Sequence, residues 1–248
     1  MKRDGYAIVT GGSRGLGKYA ALQLAEDGYD VVINYVSERG EKQVYDTAKE
    51  IESKHNVAVL VVKADVAEYE GCKKIVDSAI EKFGTKIAVL VNNAGIGVSH
   101  PMETATPEQM QRMINVNLMS QLYMTKLVFP YMADNGGGHI INVASNAGIM
   151  GVEYFVDYSA SKGGVIGMTK ALAKELAGKN IQVNCIAPGC ILSDLVTDST
   201  PENIERLTQL TPLKRLGELT EMSILVHYII SSDFLTGQII SPNGGWTI

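Results

Sequence analysis

Three residues stand at spacings that could move a proton: Tyr158 and Lys162, four apart at the start of a stretch of helical pattern, and Ser145, at the end of an apolar run. Residues four apart share one face of a helix, so the phenol and the ammonium can act on one point. A free tyrosine, with a pKa of about 10, is a poor acid or base near neutrality unless a nearby positive charge favours its phenolate. Hydride reduction of a carbonyl leaves negative charge on oxygen, and a site for it must supply a proton and hydrogen-bond donors. Taken singly, a Tyr/Lys pair at this spacing is more often a surface helix pair, and Ser145 could be a plain turn residue.

A second constellation, Thr10-Gly11-Gly12-Ser13-Arg14-Gly15-Leu16-Gly17, follows the first apolar run and opens a helix. Backbone amides and a helix N-terminus at that position suit a pyrophosphate. A structural loop needs glycine for positive φ just as much, but the placement between a first strand and a helix favours phosphate binding.

The elements that must position these residues follow from the apolar pattern. Short β-branched runs at 6–10, 30–35, 57–63, 87–92, 139–144, 182–187 and 239–242 predict seven strands, several apolar on both faces. Helical periods at 15–27, 38–54, 68–83, 106–131, 158–178 and 220–231 lie between them. The alternation predicts an α/β fold of Rossmann type: a doubly wound, seven-stranded parallel sheet with helices on both faces, in one domain spanning 1–248. Thr106, Pro107 and Gln109 form an N-cap, first-turn proline and capping box. The segment 190–217, punctuated by Pro201 and Pro212, has the composition of a lid over a binding site. Ser145 then falls at the carboxyl edge of the sheet, where open α/β folds bind ligands.

Composition narrows the partners. With 22 Lys and Arg against 27 Asp and Glu, a net charge of −5 argues against nucleic acid. No apolar run approaches the ~20 residues of a membrane helix, and Met1-Lys2-Arg3-Asp4 does not open a signal-peptide core, so a soluble cytoplasmic protein is expected. Three cysteines without CxxC spacing, and His55, His100, His139 and His227 scattered along the chain, give neither a disulfide framework nor a metal site.

The TGxxxGxG turn, Asn92-Asn93-Ala94-Gly95 after strand four, the Tyr158/Lys162 pair and Pro188-Gly189 stand in an order and spacing that resembles the short-chain dehydrogenase/reductase family over essentially the whole chain. Through GHIINVAS, YSASKGG and TGQ followed by NGG, it is most similar to the 3-oxoacyl-[acyl-carrier-protein] reductase branch. The resemblance implies a catalytic set of Asn117, Ser145, Tyr158 and Lys162, with Ser145 a donor to the substrate oxygen and Asn117 holding a water in a relay through Lys162. It implies a nicotinamide dinucleotide bound by Gly11, Ser13, Arg14, Gly15, Leu16 and Gly17. Asp65 and Val66 would contact adenine, Asn92, Ala94 and Gly95 would lie beside its ribose, and Pro188, Gly189, Ile191 and Ser193 would border the nicotinamide with Tyr158 and Lys162. Asp65 serves equally as an N-cap for the following helix. The family also implies a homotetramer packed through the helices at 106–131 and 158–178.

NAD binding would normally place an acidic residue at the end of strand two, against the ribose 2′-hydroxyl. Asn34-Tyr35 stands there instead and is expected to contact the cofactor, with Arg14, Ser37 and Arg39 as donors for a 2′-phosphate, so NADP(H) is expected. Arg14 could also be a plain exposed residue, and the neighbouring Glu38 keeps NAD(H) open as the lesser choice. The expected reaction interconverts a ketone and a secondary alcohol. An acidic carrier protein needs Lys or Arg at its docking site, yet the helix before strand five ends Ala133-Asp134-Asn135-Gly136 and only Lys179 offers a contact. A carrier-protein thioester therefore competes with a free small ketone, sugar or steroid as substrate. Ile149, Met150, Val152, Tyr154, Phe155, Leu192 and Leu195 suggest an apolar pocket, or core and subunit contacts. A non-catalytic NADPH sensor on the same fold is the rival from another class, and the intact catalytic set counts against it. Gly163, Gly164 and Gly167 in one helix cost about 1 kcal/mol each against alanine, which predicts a close approach to that helix.

Overall fold

The computed structural model describes residues 3–193 and 200–247; Leu195 and the side chain of Arg39 lie outside the described residues. Seven strands, β1 (Tyr6–Val9), β2 (Asp30–Tyr35), β3 (Val59–Lys63), β4 (Ile87–Asn92), β5 (Gly138–Val143), β6 (Ile181–Ile186) and β7 (Ile239–Ile240), form one sheet in the order β3-β2-β1-β4-β5-β6-β7. Every neighbouring pair is parallel. The order reverses between β1 and β4, where Val9 is in register with Ile33 on one side and Val91 on the other. Ligands bind outside the carboxyl ends of strands at such a switch point.

Period-two alternation assigns the strand side chains to opposite faces. Val9, Ile33, Val91 and Ile141 pack against α1 (Gly15–Glu26), α2 (Glu38–Lys54) and α9 (Leu219–Ile230). Ile8, Val32, Leu90 and Ile140 pack against α3 (Tyr69–Phe83), α5 (Ser120–Asp134) and α7 (Val156–Leu176). The doubly wound architecture expected from the sequence is the one observed.

The helix expected at 106–131 is three pieces: α4 (Pro107–Ile114), a π-helical turn (Asn115–Met119) and α5, which runs on to Asp134 with Pro130 inside it. Its start is as expected, since Thr106 Oγ1 accepts from Gln109 N and Gln109 Oε1 accepts from Thr106 N. Side-chain hydrogen bonds to the backbone accompany the wide turn. Ser120 Oγ donates to Val116 O at 2.6 Å and Gln121 Nε2 to Asn117 O at 3.0 Å.

A four-residue helix, α6 (Ala147–Met150), follows β5 where a loop was expected, and α7 begins two residues before Tyr158. α8 (Pro201–Leu210) is capped by Thr200; α9 is capped by a Glu218/Glu221 box. A Cβ on Gly164 would come within 2.7 Å of Leu118 Cδ2, and one on Gly163 within 3.4 Å of Gly148 O. The close approach to α7 is real at Gly164. At Gly167 nothing lies within 4 Å, and the expectation does not hold there. No helix of the described residues is long and apolar enough to cross a membrane.

Candidate active site

The glycine turn after β1 is built by close packing. A Cβ on Gly17 would lie 2.2 Å from Gly11 O and one on Gly12 2.7 Å from Ile33, while Gly11 and Gly15 take φ of 67° and 53°. α1 starts with no side-chain cap hydrogen bond and no acidic residue in its first turn. Its leading amides and positive dipole end are thus open to an anion, so the residues fit a dinucleotide pyrophosphate.

Asn34, at the end of β2, is buried, and its amide braces this turn: Oδ1 accepts from Gly11 N at 2.7 Å and Nδ2 donates to Ala64 O at 3.0 Å. Its side chain is engaged within the protein instead of reaching toward a ribose. Tyr35 is likewise buried, edge-on to Tyr45. At this corner stand the hydroxyls of Ser13 and Ser37, each 3.6 Å from where a Gly40 Cβ would sit, and Arg14 holds the N-cap position of α1. Ser37 also caps α2, accepting from Gly40 N.

The ends of β1 and β4 are cross-linked by Thr10, at the start of the glycine turn, and Asn93, in the Asn92–Gly95 run. Thr10 Oγ1 accepts from Asn93 N and Ala94 N, both at 3.0 Å, and Asn93 Nδ2 donates to Thr10 O and Gly11 O. Asn92 points into the sheet, donating to Asn142 Oδ1 at 2.9 Å, and Asn142 donates in turn to Thr169 Oγ1. Asp65 is not the cap of α3, a place taken by Glu68; its Oδ1 accepts from Ala67 N and its Oδ2 pairs with Arg112 on α4 at 2.9 Å. Val66 beside it is buried.

Ser145 follows β5 and faces the first turns of α7. Its hydroxyl accepts from Ala147 N at 3.2 Å and donates to Asn146 Oδ1 at 3.3 Å. Lys162 is buried, with Nζ 5.8 Å from the Tyr158 ring centroid and donating to Val143 O at 2.9 Å. Burial lowers the Lys162 ammonium to about 8, and burial raises the Tyr158 phenol, against the lowering effect of the Ser145 hydrogen bond. Asn117, in the π turn, is fully buried: Oδ1 accepts from Ile96 N at 2.8 Å, and Nδ2 donates to Ile96 O and Ser161 Oγ. A Cβ on Gly95 would meet Asn117 Oδ1 at 3.3 Å and Lys162 Nζ at 3.4 Å, so this glycine lets the two groups close on one another.

Pro188, Gly189, Ile191 and Ser193 run from β6 along the same edge. Pro188 O accepts from Asn146 N at 2.8 Å, Gly189 N donates to Pro242 O, and Ile191 bridges Gly217. Cys190 between them is an unactivated thiol, pushed up to about 11 by burial. Ile149, Met150, Val152, Tyr154 and Leu192 are exposed on the rim and are not core. Phe155 packs edge-on to Tyr158.

The fold and this edge define the class. The short chain dehydrogenase family profile matches residues 5–204, and the chain belongs to that family. It is therefore an oxidoreductase. The chain is 37% identical over 241 residues to the 3-oxoacyl-[acyl-carrier-protein] reductase FabG of Staphylococcus epidermidis, covering 96% of this chain and 97% of that one. It is 37% identical over 252 residues to the Thermotoga maritima protein of the same name, across the full length of both. A crystal structure of a blue fluorescent protein from a metagenomic library, in complex with NADPH, superposes with a TM-score of 0.93 at 30% identity, covering 99% of each chain.

Proposed function

We propose that this oxidoreductase interconverts a ketone and a secondary alcohol using NADP(H), with Tyr158 as the proton donor and acceptor. The observation that carries the proposal is the Lys162 ammonium, buried with its Nζ 5.8 Å from the centroid of the Tyr158 ring. When bound, a nicotinamide dinucleotide supplies the hydride. Tyr158 gives its proton to the carbonyl oxygen, and Ser145 Oγ donates a hydrogen bond to that oxygen as charge develops. The Lys162 ammonium beside the ring favours the resulting phenolate, against the burial that raises the phenol. Asn117 locks the loop after β4 to α7 through Ile96 and Ser161, and so fixes where Lys162 stands.

Three features support NADP(H) over NAD(H): no carboxylate ends β2, the hydroxyls of Ser13 and Ser37 stand together at that corner with Arg14 in the adjoining glycine turn, and a similar structure holds NADPH. We take a 3-oxoacyl thioester as the first substrate class, from the reductase relatives and the apolar rim. A free ketone is the second, favoured by the end of α5, where Ala133, Asp134 and Asn135 offer no cation to an acidic carrier. The proposal includes a single domain over 1–248 with 190–217 as its lid, of which 194–199 lie outside the described residues, and a cytoplasmic homotetramer packed through the helical stretches 106–131 and 158–178. The test is NADPH and NADH oxidation with acetoacetyl thioesters, diacetyl, sugar ketones and steroid ketones. Turnover with NADPH is expected; cofactor binding with no turnover on any carbonyl would sink the proposal.

A further inference from the structure

The loop between β4 and α4 also meets the chain just before and at the start of α7 through His100. His100 Nε2 donates to Asp157 Oδ2 at 3.2 Å, and His100 N donates to Tyr154 O at 2.9 Å. Both side chains of the pair are nearly out of solvent, at 12% and 7% exposure, and His100 Nδ1 is buried with no hydrogen-bond partner. The other carboxylate oxygen of Asp157 accepts from Tyr158 N at 2.9 Å, one of the first-turn amides of α7 that no helical carbonyl reaches.

The chain between these contacts is held against its own preference. Tyr154 takes φ of 64°, a left-handed conformation that a side-chain-bearing residue keeps only where the surroundings impose it. Its carbonyl is the acceptor for His100 N. Val152 N donates to Ser159 Oγ at 3.1 Å, and the Phe155 ring meets the Tyr158 ring edge-on at 5.9 Å. Residues 152–158, which form the rim beside the phenol, are thus clasped to the loop after β4 through one imidazole and one backbone bond.

We propose that His100 is a positioning residue for the carbonyl substrate: through Asp157 and Tyr154 it holds the rim and the first turn of α7 so that Tyr158 meets the substrate oxygen. This rests on Tyr158 being the proton donor. His100 touches neither the glycine turn nor Lys162 in the hydrogen bonds described, so its loss acts on the substrate side and leaves cofactor affinity intact. Removing the imidazole strands a buried carboxylate and frees the Tyr154 carbonyl segment to relax.

The test compares His100→Leu, His100→Gln and Tyr158→Phe in the full-length protein. KM and kcat for an acetoacetyl thioester are measured at saturating NADPH, with NADPH affinity by fluorescence and amide hydrogen exchange across 152–158 and the interior of α7. In His100→Leu, KM should rise at least about 10-fold, with NADPH affinity held within about twofold, because a hydrogen bond to a charged group is lost. Exchange at 152–158 should quicken while the α7 interior is unchanged. His100→Gln should recover most of both, since its amide nitrogen reaches the place of Nε2. Unchanged KM and exchange in His100→Leu, equal losses in the Leu and Gln proteins, or a parallel loss of NADPH affinity would each overturn the role of His100. Full turnover by Tyr158→Phe would instead remove the proton-donor assignment, leaving the exchange measurement to judge the clasp by itself.

Discussion

Replacing Lys162 by methionine should make the cofactor-free protein more stable near neutrality while removing its activity. The fold lowers this ammonium from 10.5 to about 8 by burying it. At about 1.4 kcal/mol per pH unit, that drop is a penalty of roughly 3 kcal/mol on the charged form at pH 7. Methionine fills a similar volume and forfeits one hydrogen bond to Val143 O, worth about 1 kcal/mol. That carbonyl keeps Gln121 Nε2 as a donor at 3.2 Å. The net gain is roughly 2 kcal/mol, or about 5 °C in Tm for a chain of this size. The pH dependence gives the sign check. Between pH 8 and 10.5 the folded protein binds fewer protons at Lys162 than the unfolded chain, so the wild type gains stability as pH rises through that window. The advantage of the variant should therefore be full below pH 8 and gone by about pH 10. Thermal unfolding of both proteins at matched concentration, from pH 6.5 to 10.5, measures it. A methionine variant that is less stable at pH 7, or a difference that ignores pH, would refute the reasoning.

Other consequences follow from the same geometry. Arg14→Ala should weaken NADPH binding by about 10- to 100-fold, the scale of a lost charge-assisted bond, and leave NADH nearly unaffected; titration of each cofactor checks this, and equal losses would remove Arg14 from the 2′-phosphate. Gly164→Ala should destabilise by about 0–2 kcal/mol in urea unfolding: its Cβ meets the end of the Leu118 side chain at 2.7 Å, an overpacking cost of about 1–3 kcal/mol, less the ~1 kcal/mol that alanine gains over glycine in a helix. Gly167→Ala, with open space around it, should stabilise by about 1 kcal/mol in the same assay. A loss there would mean that another surface packs on that face.

The sheet and the glycine turn were legible because the signals are local. Apolar period fixes the strands, and the positive φ of Gly11 and Gly15 is a requirement that glycine meets without strain. Asn34 was read as a cofactor contact because an amide at the end of β2 can face a ribose or its own loop; the choice is made by Gly11 N and Ala64 O, 23 and 30 residues away. The π turn escaped for a similar reason. The apolar pattern runs through it unbroken, whereas the bonds of Asn117 and Gln121 reach Ile96, Ser161 and Val143. α6 is one turn long, too short for a period to show. Gly164 announced a close contact and had one; Gly167, identical in sequence terms, had none, since a glycine in a helix records permission and not use. The His100/Asp157 pair, 57 residues apart, carried no local signal at all.

The sharpest test is of Tyr158→Phe, which deletes one oxygen and leaves the ring beside Phe155 and Lys162 in place. Measured together, NADPH affinity should stay at the wild-type value while NADPH oxidation by a ketone that the wild type reduces falls by at least about 100-fold, the usual contribution of a positioned proton donor. Retained oxidation at the wild-type rate would show that the phenol is not the proton source.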